Sequence, residues 1–309
     1  MNTLYINWNP GIEAFHIGSL SVRWYSLCWC IGLLAVYLLE RWLYKQQKVD
    51  MKKFEPLFIY CFVGILVGAR LGHCLFYEPN YYLTSWKGVV EMLLPIKMSG
   101  GAWHFVGYEG LASHGGTLGL MVALWLFMRK SGLKLGFVLD NIAIVTPICA
   151  CFIRLGNLMN SEIIGRVTDV PWAFRFFRSP EALRTVETLQ DGSVVPLPRH
   201  PGQLYEAICY ALFFCIGWWF YRRSMNQPDA EQTTNRLRPA VGSYFYFGLC
   251  LTLIFCARFF IEFTKEVQGG VDNGSLPLDM GQLLSIPFVL LGIGCMVRVL
   301  RKKTTKQPK

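Results

Sequence analysis

The sequence predicts an all-α integral membrane protein of seven transmembrane helices with a small folded cap on the outer side, N-terminus out and C-terminus in. Three observations predict it. Of 309 residues, 53% are hydrophobic and only 16% charged, whereas a soluble domain carries about 25% charged residues. Seven apolar runs have roughly the twenty residues needed to cross a hydrocarbon core. Lysines and arginines collect in the gaps on one side of those runs. The chain is expected to form one polytopic membrane domain over 1–309. Residues 161–203 form the cap within it, and 301–309 a basic cytoplasmic tail.

The spans fall at about 25–44, 54–77, 112–128, 138–160, 204–221, 241–263 and 282–300. The third is short because polar residues interrupt its start. A weaker apolar stretch, 89–96, is too short to cross and reads as an interfacial or re-entrant piece. Eighteen of the thirty lysines and arginines lie in the gaps 41–53, 129–134 and 222–238 and in the tail from Arg298. The positive-inside rule puts that side in the cytoplasm. The long outer segment carries five arginines against the rule, but the rule weighs charges close to span ends. That segment contains VTDVPWAFRFF and a DGS turn at 191–193, which predict a small cap with a hairpin. The start, MNTLYINWNPG, has no basic n-region, so insertion is expected from the internal spans themselves.

The net charge of +10 reads as topology and not as nucleic-acid binding. The eleven cysteines lie in or beside apolar runs without a CxxC pair, and read as small buried hydrophobes. They are not clustered with His or acids as metal ligands would be.

The polar residues inside the spans carry the functional signal. Arg154 opens RLGNLMNSEIIG at the end of the fourth span. Placing an arginine near mid-bilayer costs about 2.5–3.5 kcal/mol on insertion scales. Arg154 and Asn157 are three apart and share a helix face. Asn160 and Glu162 follow. Arg70, with Gly68, Gly72 and His73, lies in GARLGHCLFY at the outer end of the second span. His114 starts the third in SHGG. RHPGQLYE, 199–206, enters the fifth, and Arg258 with Glu262 lies in the sixth. These groups converge on the outer membrane level, with Arg258 deeper.

Each has a bland alternative. Arg258 and Glu262, four apart, can pair as a structural salt bridge. Arg70 can pair with an outer carboxylate such as Glu78. The glycines of GARLG and HGGTLG allow close helix approach, while the two after His114 also leave room beside the imidazole. His114 is either an interfacial residue or a general base, its ordinary pKa being near neutrality. Gln203 and Glu206 can cap the helix that Pro201 opens. VRWYS, which contains Tyr25, reads as an interfacial aromatic belt. Three intramembrane arginines suit a phosphate-bearing lipid head group. A lipid-modifying enzyme and a membrane transporter or binding protein for an anionic lipid both remain open on these grounds.

Several blocks in order resemble the prolipoprotein diacylglyceryl transferase family of bacterial inner membranes. Its signature reads approximately GRxGNFxNxExxG. IRLGNLMNSEIIG matches it at Arg154, Gly156, Asn157, Asn160, Glu162 and Gly165, and departs at Ile153 and Leu158. SHGG, RHPGQLYE, RFFIEF and GQLLSIP also look like family blocks. The family often places a tyrosine four residues before the arginine of its RFxxEF block. Here that position is Ile254, so the role of that hydroxyl is absent or supplied elsewhere. The resemblance implies transfer of the diacylglyceryl group of phosphatidylglycerol to the lipobox cysteine of a prolipoprotein. A thioether forms and glycerol phosphate leaves on the periplasmic side of the inner (cytoplasmic) membrane. No metal or soluble cofactor is implied. It further implies His114, Arg154 and Arg258 as catalytic residues. Arg70, Tyr25, Asn157, Asn160, Glu162, Gly165 and Glu262 are then the substrate-binding ones.

Overall fold

The computed structural model describes residues 5–18, 20–105, 110–225, 239–266 and 278–304. The chain opens with three short strands, β1 (Ile6–Trp8), β2 (Glu13–Ile17) and β3 (Leu20–Arg23), and then enters α1 (Trp24–Gln46). α2 (Met51–Phe76) follows, then the short helices α3 (Pro79–Tyr82) and α4 (Trp86–Leu93). A hairpin of β4 (Ile96–Ser99) and β5 (Ala102–Phe105) precedes α5 (Ser113–Ser131). α6 (Leu135–Met159) leads into a segment holding β6 (Phe174–Phe176), β7 (Val186–Thr188) and β8 (Val194–Pro196). The last helices are α7 (Gly202–Met225), α8 (Phe245–Glu262) and α9 (Met280–Thr304).

Six helices, α1, α2, α6, α7, α8 and α9, are long and apolar enough to cross a membrane. The chain is thus a mostly helical, multi-pass membrane protein. α5 has 19 residues but polar ends, SHGG and RKS, and falls outside that set. Large apolar side chains such as Ile59, Phe62, Trp219 and Leu290 are exposed on the six helices, as lipid-facing positions require. The start of the basic tail, 301–304, continues α9. Residues 305–309 of that tail, and the QPDAEQTTNR stretch at 227–236, lie outside the described residues.

The chain divides into two compact units, one of residues 41–135 and one of 1–40 with 136–309. In the first, α2 and α5 touch backbone to backbone. Gly64, Gly68 and Gly72, spaced by four, lie on one face of α2. A Cβ added at Gly72 would lie 2.7 Å from Gly115 Cα, and one at Gly68 would lie 2.7 Å from Gly119 Cα. Small residues permit this approach where larger ones would clash. The Ala112 N–H donates to Ala69 O at 2.9 Å and fixes the start of α5. Gly115 therefore serves the contact with α2, where an added Cβ would lie 2.8 Å from Gly72 Cα.

The weak apolar stretch at 89–96 belongs to α4 and the β4–β5 hairpin. Glu91 anchors it. The buried carboxylate accepts the Tyr81 hydroxyl at 2.7 Å and the Met98 N–H at 3.0 Å. Burial alone would raise its pKa, but the Met98 N–H, the Tyr81 hydroxyl, Lys87 and Lys97 together hold it below the ordinary value. The Tyr81 phenol, donating to that carboxylate, is pushed up to about 12.

In the second unit, β1 pairs in parallel with β6, and β7 and β8 form the expected hairpin around the DGS turn. β2 and β3 make a further hairpin ahead of α1, where the aromatic belt was read. Trp8 Nε1 donates to Leu158 O at 2.9 Å, tying β1 to the end of α6. At the other end of α6, fully buried Asp140 accepts from the N–H groups of Gly242 (2.8 Å), Tyr244 (2.9 Å) and Phe247 (2.9 Å). These donors are free at a helix start. They hold 241–244 as a turn, with Gly242 and Tyr244 at positive φ, so the helix of the sixth apolar run starts at Phe245 and not at 241. α8 and α9 meet at Gly248 and Gly292, and Phe255 stacks on Phe288 with centroids 4.4 Å apart.

Gly217 is a buried glycine inside α7 beside a small apolar cavity lined by Ile144, Pro147, Phe213 and Tyr246. A Cβ there meets nothing within 4 Å. Gly217→Ala is therefore expected to stabilise the protein by about 1 kcal/mol through helix propensity and added packing. Thermal unfolding in detergent checks this; a lowered midpoint would contradict the packing described.

Candidate functional site

The end of α6 turns back on itself. The Ser161 N–H donates to Leu158 O and the Glu162 N–H to Asn157 O, each at 3.0 Å. This is the paired bonding that closes a helix with a left-handed residue, normally glycine. Ser161 takes that conformation at φ 56°, and β-branched Ile163 takes it again at φ 57°. Each costs roughly 1–2 kcal/mol relative to ordinary backbone, so the surrounding bonds must impose it. The turn brings the Glu162 carboxylate over the last turn of α6. Asn157 Nδ2 donates to one of its oxygens at 3.2 Å and Asn160 Nδ2 to the other at 3.0 Å. Gln203 donates to the Glu162 carbonyl from the start of α7.

Arg154 stands one turn earlier on α6. Its Nη1 donates to Asn157 Oδ1 at 3.3 Å, and its Nε lies 2.7 Å from the fully buried Glu206 carboxylate. Lys265, just past α8, lies 2.9 Å from the other oxygen of Glu206 and 3.1 Å from Glu262. A continuous polar chain thus runs Glu262, Lys265, Glu206, Arg154, Asn157, Glu162 and Asn160. Burying any one of these charges alone would cost several kcal/mol, which is why they are paired.

Gly165 lies where three segments cross. Its N–H donates to His200 O at 2.9 Å, and its carbonyl accepts from buried Arg199 at 3.1 Å. Arg199 also reaches Thr185 at 2.7 Å and pairs with Glu266. A Cβ at Gly165 would lie 2.5 Å from His200 O and 2.7 Å from Thr264 O. Burial lowers the pKa of the neighbouring His200, whose Nδ1 lies 3.1 Å from the Tyr205 hydroxyl.

Of the sequence-predicted residues, Arg154, Asn157, Asn160, Glu162 and Glu262 come together in this chain, with Gly165 beside it. Tyr25 packs at Gly156, where an added Cβ would lie 3.0 Å from its ring. Arg258 does not pair with Glu262; that carboxylate is held by Lys265, and no hydrogen bond or ion pair of Arg258 falls among the described residues. Its guanidinium is within electrostatic reach of Tyr210, which also interacts with Arg154 and Glu206. Tyr210 is buried against Cys151 and Ala207, with Ile254 packed beside it.

Arg70 and His114 belong to the other unit. Arg70 does not pair with Glu78. It is buried, donates to Glu91 O at 2.6 Å and Met92 O at 3.3 Å, and sits 4.9 Å from the Tyr82 ring centre. It docks α4 against α2. His114 is exposed on the first turn of α5. The sequence reading missed Glu206, Gln203, Arg199 and Lys265 as site builders. RHPGQLYE contained three of them, but a capping explanation absorbed the signal.

A family model described as prolipoprotein diacylglyceryl transferase matches residues 12–298. The chain belongs to the prolipoprotein diacylglyceryl transferase family. It is 51% identical over 304 residues to the phosphatidylglycerol–prolipoprotein diacylglyceryl transferase of Bacteroides fragilis, covering 98% of each chain. The relatives of the same name from Porphyromonas gingivalis and Tolumonas auensis are 40% and 38% identical. Those alignments cover 98% of this chain and 98% of the first relative, and 96% of this chain and 98% of the second. The residues that the sequence matches to the family's signature, Arg154, Asn157, Asn160 and Glu162, are the ones joined to Glu206 through the turn after α6.

Gly165→Ala is expected to cost about 1–3 kcal/mol, as overpacking does, because the atoms it meets are backbone from two other segments. Thermal unfolding of purified protein checks this. An unchanged midpoint would show that the crossing at Gly165 is looser than described.

Proposed function

We propose that this chain transfers the diacylglyceryl group of phosphatidylglycerol to the lipobox cysteine of a prolipoprotein. The observation that carries the reading is the match to transferases of that name along 98% of both chains, through the residues joined around Arg154. The substrate cysteine supplies the nucleophile, which attacks as a thiolate. Its sulfur lone pair forms a bond to the glycerol methylene. The carbon–oxygen bond breaks, its electron pair goes to the phosphate ester oxygen, and glycerol phosphate leaves. The thiol proton passes to a base, assigned to His114.

Charge grows on the leaving phosphate, so donors fixed in advance around it lower the barrier. Arg154 and Arg258 are assigned to that clamp. The geometry supports Arg154 because its guanidinium is fixed between the Glu206 carboxylate, the Asn157 amide oxygen and Tyr210. Arg258 is supported by its lack of a partner among the described residues and its nearness to Tyr210. Asn157, Asn160 and Glu162 orient Arg154 and meet the head-group hydroxyls, with Tyr25 alongside. Glu262 and Gly165 act through the scaffold that holds this cluster, and Arg70 by holding α4. No cofactor enters the scheme. In the membrane, α5 makes the seventh span. The N-terminus and the 161–203 cap face the periplasm, and the C-terminus faces the cytoplasm of a bacterial inner membrane.

The test uses purified protein in phosphatidylglycerol vesicles, with the label in the diacylglycerol portion and a lipobox peptide as acceptor. Label is expected to appear on the peptide as a thioether, and His114→Gln and Arg258→Ala are expected to abolish transfer while the protein still inserts. Transfer at the normal rate by both variants would remove those two roles. Failure of the wild type to transfer, with lipid flux across the bilayer instead, would replace the transferase by a transporter.

A further inference from the structure

The Glu206 carboxylate lies entirely inside the protein and is shared. Arg154 Nε lies 2.7 Å from one oxygen as an ion pair, and Lys265 donates to the other at 2.9 Å. Lys265 itself is nearly buried, its side chain 8% exposed. Its backbone is fixed independently. Its carbonyl accepts Arg166 Nε at 2.7 Å, its N–H donates to Glu262 O at 3.0 Å, and it bridges to Gly165. The ammonium therefore extends from backbone held by the 165–166 segment and the end of α8, and not from a flexible surface tether.

The sharing has an electrostatic consequence. A buried carboxylate with a single arginine partner forms a neutral pair, and that arginine attracts a further anion weakly. A second cation on the same carboxylate, itself shared with Glu262 at 3.1 Å, takes up part of its charge, leaving more of the guanidinium charge for an incoming phosphate. We propose that Lys265 is a positioning residue for phosphate binding, drawing Glu206 away from Arg154 so that the guanidinium keeps charge and direction for the leaving group. This rests on the assignment of Arg154 to the leaving phosphate. Lys265 touches no reacting atom; it acts through Glu206.

The experiment is a double-mutant cycle on the full chain in detergent, read by calorimetric binding of glycerol phosphate and, separately, by transfer kinetics. Lys265→Met is expected to weaken glycerol phosphate binding about tenfold, within the range of coupled neighbours, and to lower kcat. Lys265→Arg retains most of both. In a Glu206→Gln background, the Lys265→Met change is expected to have no further effect on binding, because the group it acts through is gone. Lys265→Gln carries the same comparison if Lys265→Met yields too little folded protein. Unchanged binding in folded Lys265→Met, or losses that simply add across the cycle, would overturn the proposal. Glycerol phosphate binding by a wild type that transfers no label would overturn the transferase alone, and the cycle would still judge Lys265.

Discussion

A buried carboxylate on α7 organises the candidate site. Glu206 has no contact with water, and a charge in that setting is tolerable only with close partners of opposite sign. The partners come from two other elements, Arg154 on α6 and Lys265 beyond α8. The same interaction therefore does two things. It ties the ends of three helices together, and with Asn157 it anchors the guanidinium of an arginine near the end of one of them. Preorganised donors of this kind cost no rearrangement when charge develops.

The strained turn after α6 follows from that lock. With Arg154 held toward α7, the chain must leave α6 abruptly to return over its last turn. Ser161 and Ile163 take left-handed backbone to do so. The bonds from Asn157, Asn160 and Gln203 to Glu162 offset that cost. Gly165 then passes between His200 and Thr264, where no side chain fits. The polar residues of the family signature thus serve first to make a turn and hold a charge. Their proposed chemistry uses the orientation this produces.

Much of the architecture was legible in the sequence because hydrocarbon thickness constrains it. The starts and ends of α2, α6 and α7 fall close to the apolar runs, and the glycines spaced by four on α2 do pack against α5. The DGS turn does join two strands. Local pattern failed where a distant partner decides. Glu206 looked like a first-turn cap because spacing along one helix cannot reveal Arg154, 52 residues earlier, or Lys265, 59 later. Arg258 and Glu262 have the right spacing to pair, but Lys265 is the better-placed cation. The start of α8 moved because Asp140, from another helix, captured the free N–H groups at 242–247. Arg70 looked available for a ligand, yet the carbonyls that occupy it come from α4, which hydropathy could barely detect.

The central claim is that Glu206 is the hub of two buried cations. Denaturant unfolding of Glu206→Leu in mixed micelles tests it most directly. Removing one partner from a buried charged cluster strands the others and costs about 3–5 kcal/mol. The account predicts a loss of that size for Glu206→Leu, with much of it recovered when Arg154 and Lys265 are also replaced by apolar residues. A loss below about 1 kcal/mol, or no recovery in the triple variant, would contradict it.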